Sequence, residues 1–371
     1  MPLSFKLLKL TTNIYQVVTE IIKNIESAFL ALRGNEDDFP IGKNYINTYE
    51  DLKLKFDTQV HPEIKTKILE IEEDGYYNDH GVDHIKMVIL RATWLLNALE
   101  ITFDKNSDGY YISPFELFIL LMAIQLHDAG HLIASREEHA AKGKELLAKF
   151  DSGKVLSAAE RKHIGDIAKA HGGKKDPIGK LPIEENLSHQ KIRPQLLASI
   201  LRLADELAED KTRASNFLLD IGKIKETSII FHLYSASLES IVLSGGELKL
   251  DFYIHDEVLL KKYSIKDKDD KYLIDEIYDR TFKTFTESLY CSRFLPEKAR
   301  INCVKVSIHI LKSDDDDELK NISYELKETG YPYVSNKNIY DLCESLKDDQ
   351  SNIDGEYIKN FIENNLNHES I

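Results

Sequence analysis

Residues 117–131 read LFILLMAIQLHDAGH. An apolar run interrupted only by Gln125 ends abruptly in His127 and Asp128. The run has the length and character of a core helix, so the two polar groups lie at the tip of a buried element. Burying an imidazole and a carboxylate there is costly unless something compensates them.

Other histidines and acids stand at the edges of apolar stripes elsewhere. Residues 78–92, NDHGVDHIKMVILRA, hold His80 and His84, and His84 opens a helix with Val88, Leu95, Leu96 and Leu99 on its core face. Residues 135–147, SREEHAAKGKELL, hold His139, and 163–175, HIGDIAKAHGGKK, hold His163 and His171. Residues 196–215, LLASILRLADELAEDKTRAS, place Asp205 among Ile200, Leu201, Leu203, Ala204 and Leu207. A carboxylate in that setting needs a partner. One divalent cation would serve Asp205 and the His127-Asp128 pair together, and imidazole with carboxylate suits transition metals. Such ions also acidify a bound water.

The order His84, His127-Asp128, Asp205 resembles the HD-domain metal-dependent phosphohydrolase superfamily over about residues 50–215. More narrowly, HGVDH, LHDAGH, REEHAAKG, AHGG and LRLADELAEDKTRA look like a bacterial HD subgroup. The HDAGH stretch is also similar to deoxynucleoside triphosphate triphosphohydrolases, without their usual extension after that motif. The resemblance implies that His84, His127, Asp128 and Asp205 hold a first ion. It implies further that His139 and His171 supply a second ion, with Asp128 between the two. The ions would be divalent, two in number, with Mn, Fe, Zn, Mg, Ni and Co undistinguished. The implied activity is hydrolysis of a nucleotide or short, including cyclic, oligonucleotide phosphoester by metal-activated hydroxide. A single-strand nuclease and a non-catalytic nucleotide-sensing or scaffold module are the alternatives.

Catalytic roles are expected for Asp128, for His131, one turn beyond His127, and for Arg213, about two turns beyond Asp205, as a phosphate clamp. Arg136, Lys142, Lys174, Lys175 and Lys211 are further cations near the candidate ligands, and Glu209 and Asp210 are candidates to hold ligand histidines. His80 is expected to cap its helix. His163 shares a face with His171, while His61, His189, His232, His255, His309 and His368 are expected to be structural or exposed.

The 371 residues are 42% hydrophobic and 30% charged, with a net charge of -15. That is a globular composition, and so acidic a chain is a poor bulk binder of duplex DNA. The expected partner is a nucleotide or oligonucleotide, with no stable duplex binding and no membrane; a homo-oligomer is compatible with the sequence. Cys291, Cys303 and Cys343 make no CxxC pair, which points to free thiols and a cytoplasmic setting. The N-terminus has no compact signal-peptide core, and no apolar run approaches the roughly 18 residues of a membrane span.

The expected fold is mainly α: an HD-domain helical bundle followed by a smaller α+β module. The divisions are a helical extension at 1–45, the HD domain at 46–222, an α+β module at 223–312 and a helical tail at 313–371. Helical periodicity covers 8–33, 64–71, 84–101, 115–126, 139–150, 156–170 and 194–208. Strands are expected at 227–234, 238–243, 247–254 and 299–311, with Ser244-Gly245-Gly246 as a hairpin turn, a helix over 273–289 and SDDDDELK at 313–320 as a solvated linker. Residues 104–116, DKNSDGYYISPFE, imitate a calcium loop, but Phe115 stands where the closing Glu belongs. Ser113, Pro114 and Glu116 instead make a capping box that opens the apolar helix. Phe231, Tyr234, Phe252 and Tyr253 are read as strand aromatics, core residues before base-stacking ones.

Overall fold

The computed structural model describes residues 22–34, 38–64, 66, 81–106, 108–135, 138–151, 153–209, 224–266, 268–328, 338–348 and 351–368. The first half is a helical bundle: α1 (Ile25–Leu30), α2 (Tyr45–Lys55), α3 (Val82–Ala98), α4 (Pro114–Leu126), α5 (His139–Phe150), α6 (Ala158–Lys169) and α7 (Pro194–Glu206).

Helix α4 is the axis of this bundle. All 13 of its residues are buried. A helix apolar on every side has to be wrapped on every side, and α1, α2, α3, α5, α6 and α7 all pack on it. Each Leu, Ile or Phe removed from water there contributes about 1.5 to 3 kcal/mol. Among the described residues, Pro114–Leu132 is a helical run long and apolar enough to cross a membrane, and 94% of it is buried inside the protein. Its apolarity is accounted for by its place in the core.

The start of α4 is the capping box expected from the sequence: Ser113 accepts from Glu116 N, and Glu116 accepts from Ser113 N. Upstream, Asp104 folds back to accept from Asn106 N, an Asx turn. Glu116 also receives Arg193, whose Nε, Nη2 and backbone N donate to it at 2.8, 2.7 and 3.0 Å. Arg193 immediately precedes α7, so this pair fixes the start of α7 to the start of α4. Between Asp51 and Ala214 the sequence pattern is helical, yet two short strand pairs occur there: Ile101–Thr102 with Tyr110–Tyr111, and Glu185–Leu187 with Gln190–Ile192.

The second half is α+β. Helix α8 (Ile229–Ser237) leads into β1 (Leu238–Ser244) and β2 (Glu247–His255); α9 (Leu273–Ser292) crosses to β3 (Cys303–Leu311), which returns as β4 (Glu318–Lys327). The sheet order is β4-β3-β2-β1, with β2 and β3 parallel and the outer pairs antiparallel. A parallel pair needs a crossover, and α9 supplies it. Gly245 and Gly246, at φ 59° and 80°, close the expected hairpin. A helix, α10 (Gly355–His368), lies near the C-terminus. Cys291, Cys303 and Cys343 are buried free thiols, as the spacing predicted.

Three expectations are corrected. Residues 227–234, expected as a strand, form a 3-10 turn and then α8. The run Ile229-Ile230-Phe231 is too short for periodicity to decide; packing decides, because Phe231 and Tyr234 lie one turn apart and both receive the Arg280 guanidinium of α9, at 5.1 and 4.6 Å. The acidic stretch at 313–320 is not a linker: 313–317 turn a hairpin, with Lys312 N donating to Asp317 O and Asp316 at φ 63°, and 318–320 begin β4. The last fifty residues, expected to be helical, therefore begin inside β4, whose buried Ile322, Tyr324 and Leu326 complete the sheet core. Phe252 is also core, while Tyr253 is 47% exposed and stacks on His309.

The Glu116–Arg193 pair is buried, with Glu116 side-chain exposure of 3%. Glu116→Ala would leave the guanidinium uncompensated and remove the cap of α4. We expect a loss of about 3 to 5 kcal/mol, read from urea unfolding; a loss under 1 kcal/mol would show that α4 does not depend on this pair.

Candidate metal centre

The tip of α4 is where the polar groups gather. His127 is its C-cap. The His127 Nδ1 donates to Ile124 O at 2.7 Å, which turns Nε2 away from the helix with its lone pair available. At the end of α6, His171 does the same with Ala168 O at 2.6 Å. His84 comes from the first turn of α3, Asp205 from the last turn of α7 and His139 from the first residue of α5.

These atoms fall into two groups. His84, His127 and Asp205 form one; Asp128, His139 and His171 form the other; within each group the ligand atoms lie within 4.8 Å of one another. In the first, Asp205 Oδ1 is 3.1 Å from His84 Nε2 and 3.5 Å from His127 Nε2. In the second, the Nε2 atoms of His139 and His171 are 3.0 Å apart. Asp128 joins them. Its Oδ2 is 3.5 Å from His84 and 3.3 Å from His127, and its Oδ1 is 3.5 Å from His139 and 3.8 Å from His171. His131 stacks flat on His139, centroids 3.9 Å apart, with Nε2 3.9 Å from Asp128 Oδ1.

Glycine permits this closeness. A Cβ on Gly130 would lie 1.9 Å from the carbonyl oxygen of His139, so the first turn of α5 rests directly on the backbone of the HDAGH stretch. A Cβ on Gly172 would meet Ala140 at 3.0 Å, which brings the neighbours His171 and His139 together.

Acceptor nitrogens and carboxylate oxygens that face one another under burial repel unless a cation lies among them. The donor set, four imidazoles and two carboxylates, fits divalent transition-metal ions, and His84, His127, Asp128, His139, His171 and Asp205 can hold two. Without a metal, a proton takes that part. Burial opposes a charge on His127, but the Asp128 and Asp205 carboxylates outweigh it and hold its pKa well above the ordinary 6.5. Asp205 is likewise desolvated, yet its bonds to His127 and His84 keep it well below the ordinary 3.8. His171 goes the other way: burial, and then the neighbouring His127, push it down to about 4.

The remaining candidates are distributed as follows. His163 is buried and lies 3.7 Å from Glu185, apart from the centre. Glu209 does not reach a ligand histidine; it accepts from Ser235 and lies 3.5 Å from Arg280. Lys142 pairs with Glu145, and Lys174 and Lys175 are exposed just past His171. His80, Arg136, Asp210, Lys211 and Arg213 lie outside the described residues. His61 is fully buried beneath the centre, with Nε2 2.9 Å from Gln125 Oε1; the only sequence signal for this was Gln125 itself, the break in the apolar run. A cavity of about 750 Å³ lies elsewhere, between Trp94–Glu100 of the α3 end and the β1–β2 hairpin, and none of the candidate ligands lines it.

A family model, HD-CE, matches residues 74–281, more than half of the chain. The chain belongs to the HD-CE family. Its HD-type bundle carries the two His/Asp groups described above. The HD-CE match runs beyond the bundle, through β1 and β2 and into α9. Comparison with curated proteins and with solved structures gave no match.

Two outcomes follow. Gly130→Ala should push α5 off and withdraw His139, so that manganese stoichiometry, measured by elemental analysis, drops from two ions to one; unchanged stoichiometry would contradict the role of the close approach. The second outcome concerns pH. The His127 pKa lies above 6.5, so its stabilisation of the metal-free centre is complete below 6.5 and is lost as pH rises through the folded value. The Asp205 pKa lies below 3.8, so its contribution is present above 3.8 and is lost as pH falls through the folded value. The proton thus holds the metal-free centre best between those values, and a metal ion must displace it. Calorimetric titration with manganese should show affinity rising with pH across the neutral range, with proton release; flat affinity would refute the competition.

Proposed function

We propose that this protein is a metal-dependent phosphoric ester hydrolase acting on a nucleotide or a short, including cyclic, oligonucleotide. The observation that carries the reading is Asp128, whose two oxygens face two different pairs of imidazoles. His84, His127 and Asp205 would hold one ion, His139 and His171 the other, and Asp128 both. Bound there, divalent ions supply an acidified water and polarise a phosphoryl oxygen. Imidazole-rich ligation favours Mn, Fe, Zn, Ni or Co over Mg.

The chain's own residues do the rest. His127 and His171, fixed by Ile124 O and Ala168 O, present their Nε2 atoms without rearrangement. Asp205 and His139 are the more open members, with side-chain exposures of 28% and 14%, so a phosphate enters past them. His131 is buried at the edge of the centre and stands ready to donate a proton to the departing oxygen. Lys174 and Lys175 add positive charge on the His171 side, and Arg213 is the proposed guanidinium clamp. The net charge of -15 disfavours long duplex DNA as substrate.

The test is turnover by the purified protein and its Asp128→Ala variant with manganese, on bis-p-nitrophenyl phosphate, cyclic nucleotides, nucleoside triphosphates and single-stranded oligonucleotides. We expect metal-dependent hydrolysis in the wild type and a loss of at least about 100-fold in the variant. A preference for long single strands would favour a nuclease. A wild type that binds metal with no turnover on any of these would favour a nucleotide-binding module.

A further inference from the structure

The C-terminal region packs on the metal-bearing bundle between α9 and α7, and this contact is charged. Arg202 of α7 forks onto Glu287 of α9, with Nε and Nη2 donating at 2.7 and 2.8 Å. One turn on, Glu206 accepts from Thr284 at 3.0 Å and pairs with Lys283 at 2.5 Å. Asp205 stands between these two attachments.

Arg202 has a second set of contacts. Its Nη1 reaches the carbonyl oxygens of Ala170 and Gly173, at 3.4 and 3.3 Å, one on each side of the His171 segment. Helix α9 grips the same segment further along: the Tyr290 hydroxyl donates to Asp176 at 3.0 Å and accepts from Ile178 N at 2.9 Å. Arg202 also lies over the Tyr290 ring, 5.0 Å from its centroid. One guanidinium, 11% exposed, therefore joins the helix that carries Asp205, the turn that carries His171 and the α9 helix. Asp205 belongs to the first His/Asp group and His171 to the second.

We propose that Arg202 and Glu287 are positioning residues, through which α9 of the C-terminal region sets His171 against Asp128 and so completes the second half of the metal centre. The inference rests on the two-ion reading above. Neither residue belongs to the ligand groups. A planar fork with five donors can hold a carboxylate and two carbonyls at once; a lysine cannot.

The experiment uses the full chain. Manganese stoichiometry and affinity are measured by calorimetry, and spin coupling between paired ions by electron paramagnetic resonance. The proteins are wild type, Arg202→Met, Arg202→Lys, Glu287→Gln and the double variant Arg202→Met/Glu287→Met. We expect two coupled ions in the wild type. In Arg202→Met and Arg202→Lys the first ion should bind as before, while the second weakens by about 10- to 100-fold and the coupled signal disappears. The double variant removes the unpaired charge and should regain thermal stability but not the second ion, which separates positioning from simple support of the fold. If Arg202→Met fails to fold, Glu287→Gln, which keeps the shape of the partner, carries the same comparison with a smaller expected loss. Two coupled ions at wild-type affinity in the folded variants would overturn the proposal. A wild type that binds fewer than two ions would overturn the two-ion reading and this inference with it.

Discussion

Asp128 holds one oxygen against His84 and His127 and the other against His139 and His171. A carboxylate 4% exposed, among imidazoles that present lone pairs, is a concentration of acceptors that the surrounding helices must be strong enough to enforce. Most of the bundle can be understood as that enforcement. Helix α4 brings the His127-Asp128 pair to the centre because its apolar surface leaves it nowhere else to go. The backbone carbonyls of Ile124 and Ala168 set the tautomers of His127 and His171. Gly130 leaves out the side chain that would hold α5 off the HDAGH stretch, and Gly172 the one that would hold α5 off the end of α6.

The electrostatics of the centre are those of a site poised for a cation. Asp128 and Asp205 hold His127 well above its ordinary pKa, and His127 and His84 hold Asp205 well below its own, while burial and the neighbouring His127 push His171 down despite Asp128 at 3.8 Å. In the first group a proton on His127 thus stands in for metal, whereas His171 of the second is pushed toward its neutral form. Around His171, Arg202 of α7 reaches the carbonyl oxygens of Ala170 and Gly173 while held by Glu287 of α9, and Tyr290 of α9 bonds to Asp176.

On the proposal that α9 positions His171, the C-terminal half has a structural reason to be attached. Its sheet is an ordinary pair of hairpins joined by a helical crossover, and its aromatic residues are mostly core. What connects it to the chemistry is α9, which covers the polar side of α7 with Arg280, Lys283 and Glu287. Glu206 shows how far this face is removed from water: its desolvation raises its carboxyl pKa despite Lys283 beside it.

Much of this was legible in the sequence because the signals are local. An apolar run with a Ser-Pro-x-Glu start can only be a buried, capped helix, and the amphipathic segments around it have unambiguous period. The ligand-bearing motifs are legible because an Asp or His at the edge of an apolar stripe has few bland explanations, and six such residues in one chain have fewer still. The failures are also local. At 227–234 a short β-branched and aromatic run has no period to read, and the Arg280 contacts that make it a helix come from fifty residues away. At 313–320 four consecutive aspartates suggest a linker, yet residues 312–317 turn a hairpin because a strand stands on each side. What the sequence by itself determined was most of the helices around α4 and the chemical character of the centre, since both follow from residue type and spacing along one segment. The tertiary structure alone decided which oxygen of Asp128 faces which histidines, how closely Gly130 lets α5 approach, and that Arg202 ties His171 to α9, because each of these is a distance between segments that no local pattern encodes.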